Sequence, residues 1–187
     1  GDEYVINGAK LYITNATQAD WLCVLARTSD DGGPRGMSQI LVPTDAPGFQ
    51  IGEYLWTFNM PTDHPKCSYT NVWVPETAVL RKLDEGLAVA QHFVHENRIR
   101  QAASSLGAAQ YCIDESVKYA QERKPFGKPL AVNQAIQFPL VELQTEAEML
   151  RLLIWKTAAQ MDTMTKPEVA IRLSDKVSMC NYRANRL

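Results

Sequence analysis

Short runs in which apolar and polar residues alternate fill roughly the first 80 residues, and such alternation is typical of β-strands. Two of these runs, residues 4–6 and 10–14, lie on either side of Asn7-Gly8. An Asn-Gly pair favours a two-residue hairpin turn because both turn positions need a positive φ. We therefore predict that the chain opens with a β-hairpin.

Three further strands are predicted in the same part of the chain. Residues 21–27 and 37–42 form a second pair, and the loop between them, residues 29–36, is rich in glycine, aspartate and proline. Residues 67–74 alternate as another strand, which ends at Pro75.

The apolar period changes to three or four residues from about Leu87 onward, which indicates α-helices. The first apolar stripe continues to Ala120, and its helix must end near Lys124-Pro125 because the residue before a proline disfavours the helical conformation. Such a helix is roughly 50 Å long at about 1.5 Å per residue.

Two more helices follow in the pattern. Residues 136–161 carry a second apolar stripe, and Pro139 either kinks its helix or marks the start. A third helix opens at Lys166-Pro167-Glu168 and keeps one apolar face as far as Leu187. We predict an α+β protein, with an antiparallel, barrel- or sandwich-like β-domain at residues 1–82 and a bundle of long helices at residues 83–187.

The composition is that of a globular protein and excludes several classes. The chain has 187 residues, 45% of them hydrophobic, and a net charge of −2, which does not suit a nucleic-acid-binding protein. No apolar run reaches the roughly 20 residues of a transmembrane helix. The four cysteines form no CxxC pair, and the histidines have no metal-ligand spacing. We expect reduced thiols, an intracellular protein and no metal site.

Tyr12 and Thr14 are a first candidate for chemistry. Two residues apart on a strand, they would project from the same face, where an aromatic ring and a hydroxyl could lie against a planar cofactor. Both are also ordinary strand formers, and the pattern alone favours that interpretation.

Two further candidates lie in the helical half. In residues 122–134, ERKPFGKPLAVNQ, the cations surround Phe126-Gly127 and Gln134 opens the next helix. Cations and helix N-terminal donors suit a pyrophosphate, although a solvated loop between helices explains the pattern as well. Residues 95–98, His-Glu-Asn-Arg, interrupt the apolar rhythm, as either the wall of a pocket or the polar face of a helix does.

Several segments together resemble the acyl-CoA dehydrogenase family, nearly from end to end. Residues 1–28 are similar to its middle β-domain, residues 36–52 (GMSQILVPTDAPGFQIG) to the next strand and turn, and residues 72–80 (VWVPETAVL) to the exit from that domain. Residues 98–138 are the most specific, because R-x-x-F-G-[KR]-x-[LI] is followed there by a glutamine at the family's distance.

The resemblance implies an FAD-dependent enzyme in which the flavin lies between the β-domain and the C-terminal helices, with part of the site supplied by a neighbouring subunit. By position it implies that Tyr12 packs against the flavin ring and Thr14 lies near its reactive edge. It likewise implies that Arg123, Phe126 and Gln134 contact the cofactor. A homodimer or homotetramer is expected, in mitochondria or peroxisomes if the source is eukaryotic and in the cytoplasm if it is bacterial.

The implied reaction is α,β-dehydrogenation of an acyl-CoA thioester, with Arg98 beside the thioester and with electrons passing to an electron-transferring flavoprotein or to oxygen. Most members carry the catalytic glutamate beyond the position of Leu187, and a minority carry it where this chain has Asn97. An amide cannot take the proton, and Glu96 lies about 100° away around the helix. We expect no normal base in residues 1–187, and hence an inactive fragment.

Two alternatives stay open. One is a flavin oxidase of the same fold that acts on acyl-CoA or on a nitroalkane. The other is a non-catalytic scaffold that binds partners. Flavin binding distinguishes the scaffold from both enzymes.

Overall fold

The computed structural model describes residues 2–30, 33–57 and 63–187. The chain divides into two compact units, residues 1–90 and residues 91–187. Antiparallel sheets fill the first unit and helices the second, which confirms the α+β fold class.

The described residues of the first unit form two antiparallel sheets. β1 (Glu3–Lys10), β5 (Pro65–Pro75) and β4 (Phe49–Tyr54) form the larger sheet with β5 in the middle, and β2 (Trp21–Arg27) pairs with β3 (Met37–Pro43). Alternate strand residues face a common apolar core, as expected for sheets with one buried face. Its fully buried strand members are Ile40, Val42, Cys67, Val72 and Val74.

The predicted opening hairpin is wrong. β1 continues through Asn7-Gly8 and pairs with β5, and the register shifts between Ile6 and Gly8. Gly8 has a φ of 149°, which favours glycine, and the Asn7 side chain accepts the backbone N–H of Asn71 at 2.8 Å. The pair therefore produces a β-bulge within a long-range ladder instead of a turn.

The second predicted pair is confirmed, since β2 and β3 are antiparallel from Trp21 opposite Pro43 to Arg27 opposite Met37. Residues 31–32 of the predicted loop lie outside the described residues. The predicted strand at residues 67–74 is confirmed within the longer β5, whereas β4 was not predicted.

The helical unit contains most of α1 (Gly86–Glu122) and all of α2 (Gln134–Asp162), α3 (Lys166–Arg172) and α4 (Ser174–Ala184). Both long helices are confirmed, and α2 starts at Gln134 with Pro139 inside it. The core lies between α1, α2 and α4. Its buried members are Ala102, Leu106, Ile113, Ala147, Leu150, Ile154, Cys180 and Ala184.

The predicted single third helix is wrong, because α3 and α4 are separate helices that meet at Leu173, where φ is −122° and ψ is 0°. Backbone hydrogen bonds continue on both sides of this break, from Leu173 N–H to the Val169 carbonyl and from Val177 N–H to the Leu173 carbonyl. The buried stripe thus passes through the break, and for that reason the apolar period does not reveal it.

All four cysteines are free, with Cys67 and Cys180 buried and Cys23 and Cys112 exposed. Within the part of the chain that the structure describes, no helix has both the length and the hydropathy that a membrane span requires.

Candidate functional site

In the β unit, Tyr12 and Thr14 lie in the segment that follows β1. Tyr12 has a φ of 57° and is 56% exposed, so the chain leaves the extended conformation at this residue. The prediction that Tyr12 and Thr14 share one face of a strand is therefore wrong. Ile13 between them donates its N–H to the Pro65 carbonyl at 3.1 Å, and Asn15 N–H donates to Asp63 Oδ1 at 3.0 Å. These bonds hold an exposed aromatic side chain on an anchored loop.

In the helical unit, the loop between α1 and α2 presents Phe126 in an unusual conformation. Phe126 has a φ of 55° and a fully exposed side chain, and Gly127 has a φ of 85°. A positive φ is rare for a bulky residue and is usually tolerated where the surroundings impose it. Here the loop is closed by Leu130 N–H, which donates to the Arg123 carbonyl at 2.9 Å. The loop thus holds an exposed apolar ring in a backbone conformation that is costly for a bulky residue.

The first turn of α2 is capped from within. Asn133 Oδ1 accepts the N–H of Ala135 at 2.9 Å, and the Asn133 carbonyl accepts those of Ile136 and Gln137. Because these three N–H groups already donate to Asn133, the start of α2 has fewer free donors for an anion than we expected from the sequence.

Positive charge at this loop comes from its side chains. Arg123, Lys124 and Lys128 are all exposed, and none has a carboxylate partner among the described residues. Gln134, the first residue of α2, is also exposed and follows Lys128 by six positions. Three predicted cofactor residues, Arg123, Phe126 and Gln134, are therefore presented by one short segment.

The polar group at residues 95–98 lies near the other end of α1. His95 is only 3% exposed, and its Nε2 lies 3.3 Å from Ser174 Oγ on α4. Its Nδ1 has no hydrogen-bond partner among the described residues. Burial lowers the pKa of His95, and the neighbouring charges of Arg98 and His92 lower it further, so the neutral imidazole is favoured at neutral pH.

The other three residues of this group point to different partners. Arg98 Nη1 donates to Ser178 Oγ at 3.2 Å, and Asn97 Oδ1 accepts from Arg100 at 2.5 Å. Glu96 is exposed and forms an ion pair with Lys166 at 3.1 Å. The face of α1 that carries His95 and Glu96 borders a cleft of about 290 Å³. Its remaining lining residues are His92, Met161, Asp162, Met164, Lys166 and Val169.

The two groups in the helical unit are far apart. From Arg98 to the last residue of α1, Glu122, the chain makes 24 helical steps, or about 36 Å. The loop with Phe126 and the polar group with Arg98 are therefore separate regions of this unit. Ser174 and Ser178 were not predicted as site residues, although two serines four residues apart on a helix share one face and were a usable signal.

No cluster of three or more His, Cys, Asp or Glu side chains that could hold a metal ion occurs in residues 2–30, 33–57 and 63–187.

Two models of known protein families match this chain. The model of the acyl-CoA dehydrogenase C-terminal domain matches residues 84–187, and that of the acyl-CoA dehydrogenase middle domain matches residues 1–70. The chain belongs to the acyl-CoA dehydrogenase family. Members of this family are oxidoreductases, and FAD is their typical flavin.

Two relatives among curated proteins show how much of an acyl-CoA dehydrogenase the chain represents. It is 35% identical to the mitochondrial short/branched chain specific acyl-CoA dehydrogenase of Rattus norvegicus, over 100% of this chain and 42% of that protein. It is 34% identical to the 3-(aryl)acrylate reductase of Clostridium sporogenes, over 98% of this chain and 48% of that protein. The chain spans less than half the length of these relatives.

Solved structures of the family have the same fold. A chain of the glutaryl-coenzyme A dehydrogenase glutaryl-CoA complex matches with a TM-score of 0.86 and 31% identity, over 100% of this chain and 46% of that one. A chain in the structure of the electron transferring flavoprotein of Acidaminococcus fermentans matches with a TM-score of 0.85 and 29% identity, over 100% of this chain and 48% of that one.

Proposed function

We propose that the protein to which this chain belongs oxidises an acyl-CoA thioester at its α and β carbons, with FAD as cofactor. The observation that carries the proposal is the fully exposed Phe126 at a φ of 55°, flanked by exposed cations in a chain of this family. The chain is similar to the rat short/branched chain specific acyl-CoA dehydrogenase and to a glutaryl-coenzyme A dehydrogenase. Both names state an acyl-CoA compound as the substrate.

The residues of the α1–α2 loop suit the chemistry of FAD. Its diphosphate is an anion, and Arg123, Lys124 and Lys128 offer positive charge that no carboxylate of the described residues neutralises. Phe126 offers an apolar ring to pack on the cofactor and exclude water, and Gln134 offers an amide for hydrogen bonding. When bound, FAD supplies the acceptor for the β-hydrogen. Because Arg98 lies about 36 Å along α1 from the end that leads into this loop, we propose that the loop and the Arg98 that serve one flavin belong to different subunits.

Arg98 suits the substrate. Removal of the α-proton puts negative charge on the thioester oxygen, and a placed guanidinium stabilises such charge. The base is a separate question: Asn97 carries an amide, and Glu96 is exposed and paired with Lys166. We propose that the carboxylate that takes the α-proton is supplied from outside residues 1–187. Electron transfer to an electron-transferring flavoprotein is part of the same proposal, supported by the match to a chain in a structure of the electron transferring flavoprotein of Acidaminococcus fermentans.

The cofactor proposal is tested by titrating FAD with this chain and following flavin fluorescence. We expect Arg123→Ala to weaken FAD binding at least about tenfold, because a hydrogen bond between charged groups contributes roughly 1.5–3 kcal/mol. Circular dichroism should stay unchanged, since Arg123 is exposed. Arg172→Ala is the matched control, because it removes an exposed arginine from α3. Equal affinity of the Arg123→Ala and unchanged chains would reject this loop as the flavin site.

A further inference from the structure

α1 and α4 face each other through a ladder of polar side chains. His95 and Arg98 are one turn apart on α1, and Ser174 and Ser178 are one turn apart on α4. His95 Nε2 lies 3.3 Å from Ser174 Oγ, and Arg98 Nη1 lies 3.2 Å from Ser178 Oγ. His95 and Arg98 therefore each contact a different serine of α4.

The hydroxyl of Ser178 has a defined direction. It donates to the Ser174 carbonyl one turn earlier, at 2.7 Å. With its single proton used there, the oxygen presents its lone pairs, and Arg98 donates into them. The main chain is fixed as well, because Asn181 Nδ2 donates to the Arg98 carbonyl at 3.5 Å.

The guanidinium of Arg98 is held without being neutralised. It is half-buried, yet no carboxylate of the described residues forms an ion pair with it. An arginine that only stabilises a fold usually faces an acid, because an uncompensated charge is costly in a partly buried place. A neutral hydroxyl instead fixes the orientation and leaves the full positive charge for a ligand.

We propose that Ser178 is a positioning residue, whose hydroxyl holds the Arg98 guanidinium in the orientation in which it meets the developing oxyanion of the acyl thioester. This inference rests on the proposed function, because that function provides the oxyanion. Ser178 touches no reacting atom and acts through Arg98.

The test compares three substitutions. Ser178→Ala removes the acceptor, and Ser178→Thr restores a hydroxyl that can make the same bond to the carbonyl one turn earlier. Ser116→Ala is the matched control, since the Ser116 hydroxyl also donates to a carbonyl one turn earlier, that of Cys112 at 2.6 Å, and holds no arginine.

Two measurements distinguish the hydrogen bond between Ser178 and Arg98 from its effect on catalysis. The first is the order of the Arg98 side chain in the full 187-residue chain, from ¹⁵N relaxation of its Nε–H group. The second is kcat/KM for an acyl-CoA in a flavin-loaded protein that contains this chain. Ser178→Ala should loosen the guanidinium and lower kcat/KM about tenfold, the loss expected for one charge-assisted hydrogen bond. Ser178→Thr should restore both values, and Ser116→Ala should change neither.

An Arg98 side chain that stays equally ordered in Ser178→Ala overturns the positioning role. A loosened side chain with unchanged kcat/KM supports the contact and overturns the proposed role of Arg98 at the thioester. A fall in kcat/KM that Ser178→Thr does not restore also overturns the proposal, because the hydroxyl is then not the group that matters.

Discussion

Two glycines of α1 should respond in opposite directions to the same substitution. Gly86 begins the helix and is buried against β3. A Cβ added there would lie 2.3 Å from both Gln39 N and Ser38 C, and 2.6 Å from Ser38 Cα. All three are backbone atoms, so no side-chain rotation relieves the clash. Gly107 lies in the interior of the helix, and a Cβ there meets no heavy atom within 4 Å.

The magnitudes follow from these surroundings. Overpacking typically costs about 1–3 kcal/mol, and because Gly86→Ala has to displace backbone we expect about 3 kcal/mol of lost stability. At Gly107 the steric cost is absent, and alanine is preferred over glycine inside a helix. Gly107→Ala should therefore raise the free energy of unfolding by about 0.5–1 kcal/mol.

Urea unfolding followed by circular dichroism and by tryptophan fluorescence measures both effects. Gly86→Ala should move the midpoint of the β unit, to which residues 86–90 belong, to lower urea. Gly107→Ala should move the midpoint of the helical unit to higher urea. An unchanged midpoint for Gly86→Ala would refute the close approach to β3, and a lowered one for Gly107→Ala would show that the space beside it is filled.

Two further predictions concern single side chains. Asn133→Ala should destabilise α2 by about 1 kcal/mol in thermal unfolding, because the Ala135 N–H loses its acceptor, whereas Asn133→Asp keeps the cap; equal losses would contradict this explanation. Burial, and then the neighbouring Cys67, raise the pKa of Tyr69 from 10.0 to about 12. The stability that comes from keeping this phenol protonated is complete below pH 10.0 and is lost as the pH rises through about 12. Absorbance titration at 295 nm of the unchanged chain and of Tyr69→Phe checks this prediction. If the tyrosine signal that Tyr69→Phe removes titrates near pH 10.0, the raised pKa of Tyr69 is disproved.

The sequence predicts the long helices well because their signals are local. Apolar residues three and four apart specify α1 and α2, and Pro125 and Asn133 mark the loop between them. The same locality explains why the sequence puts Phe126 and Gln134 in one segment, since only eight positions separate them.

Long-range pairing is where sequence reasoning failed. Asn7-Gly8 has the composition of a hairpin turn, but β1 pairs with β5, whose residues lie more than 50 positions away. Register with a distant strand depends on the buried face of the whole sheet, which a local dipeptide does not encode. The contact between Arg98 and Ser178 joins residues 80 positions apart, and the period of either helix alone does not specify it.

The distribution of thiols makes the chain suitable for distance measurements without mutation. Each compact unit contains one exposed cysteine, Cys23 in the first and Cys112 in the second. Cys67 and Cys180 are buried, so a thiol reagent reaches them much less readily than the two exposed thiols. A donor and an acceptor dye attached to the two exposed thiols would therefore report the separation of the units, and any change in it when a flavin or an acyl-CoA is added.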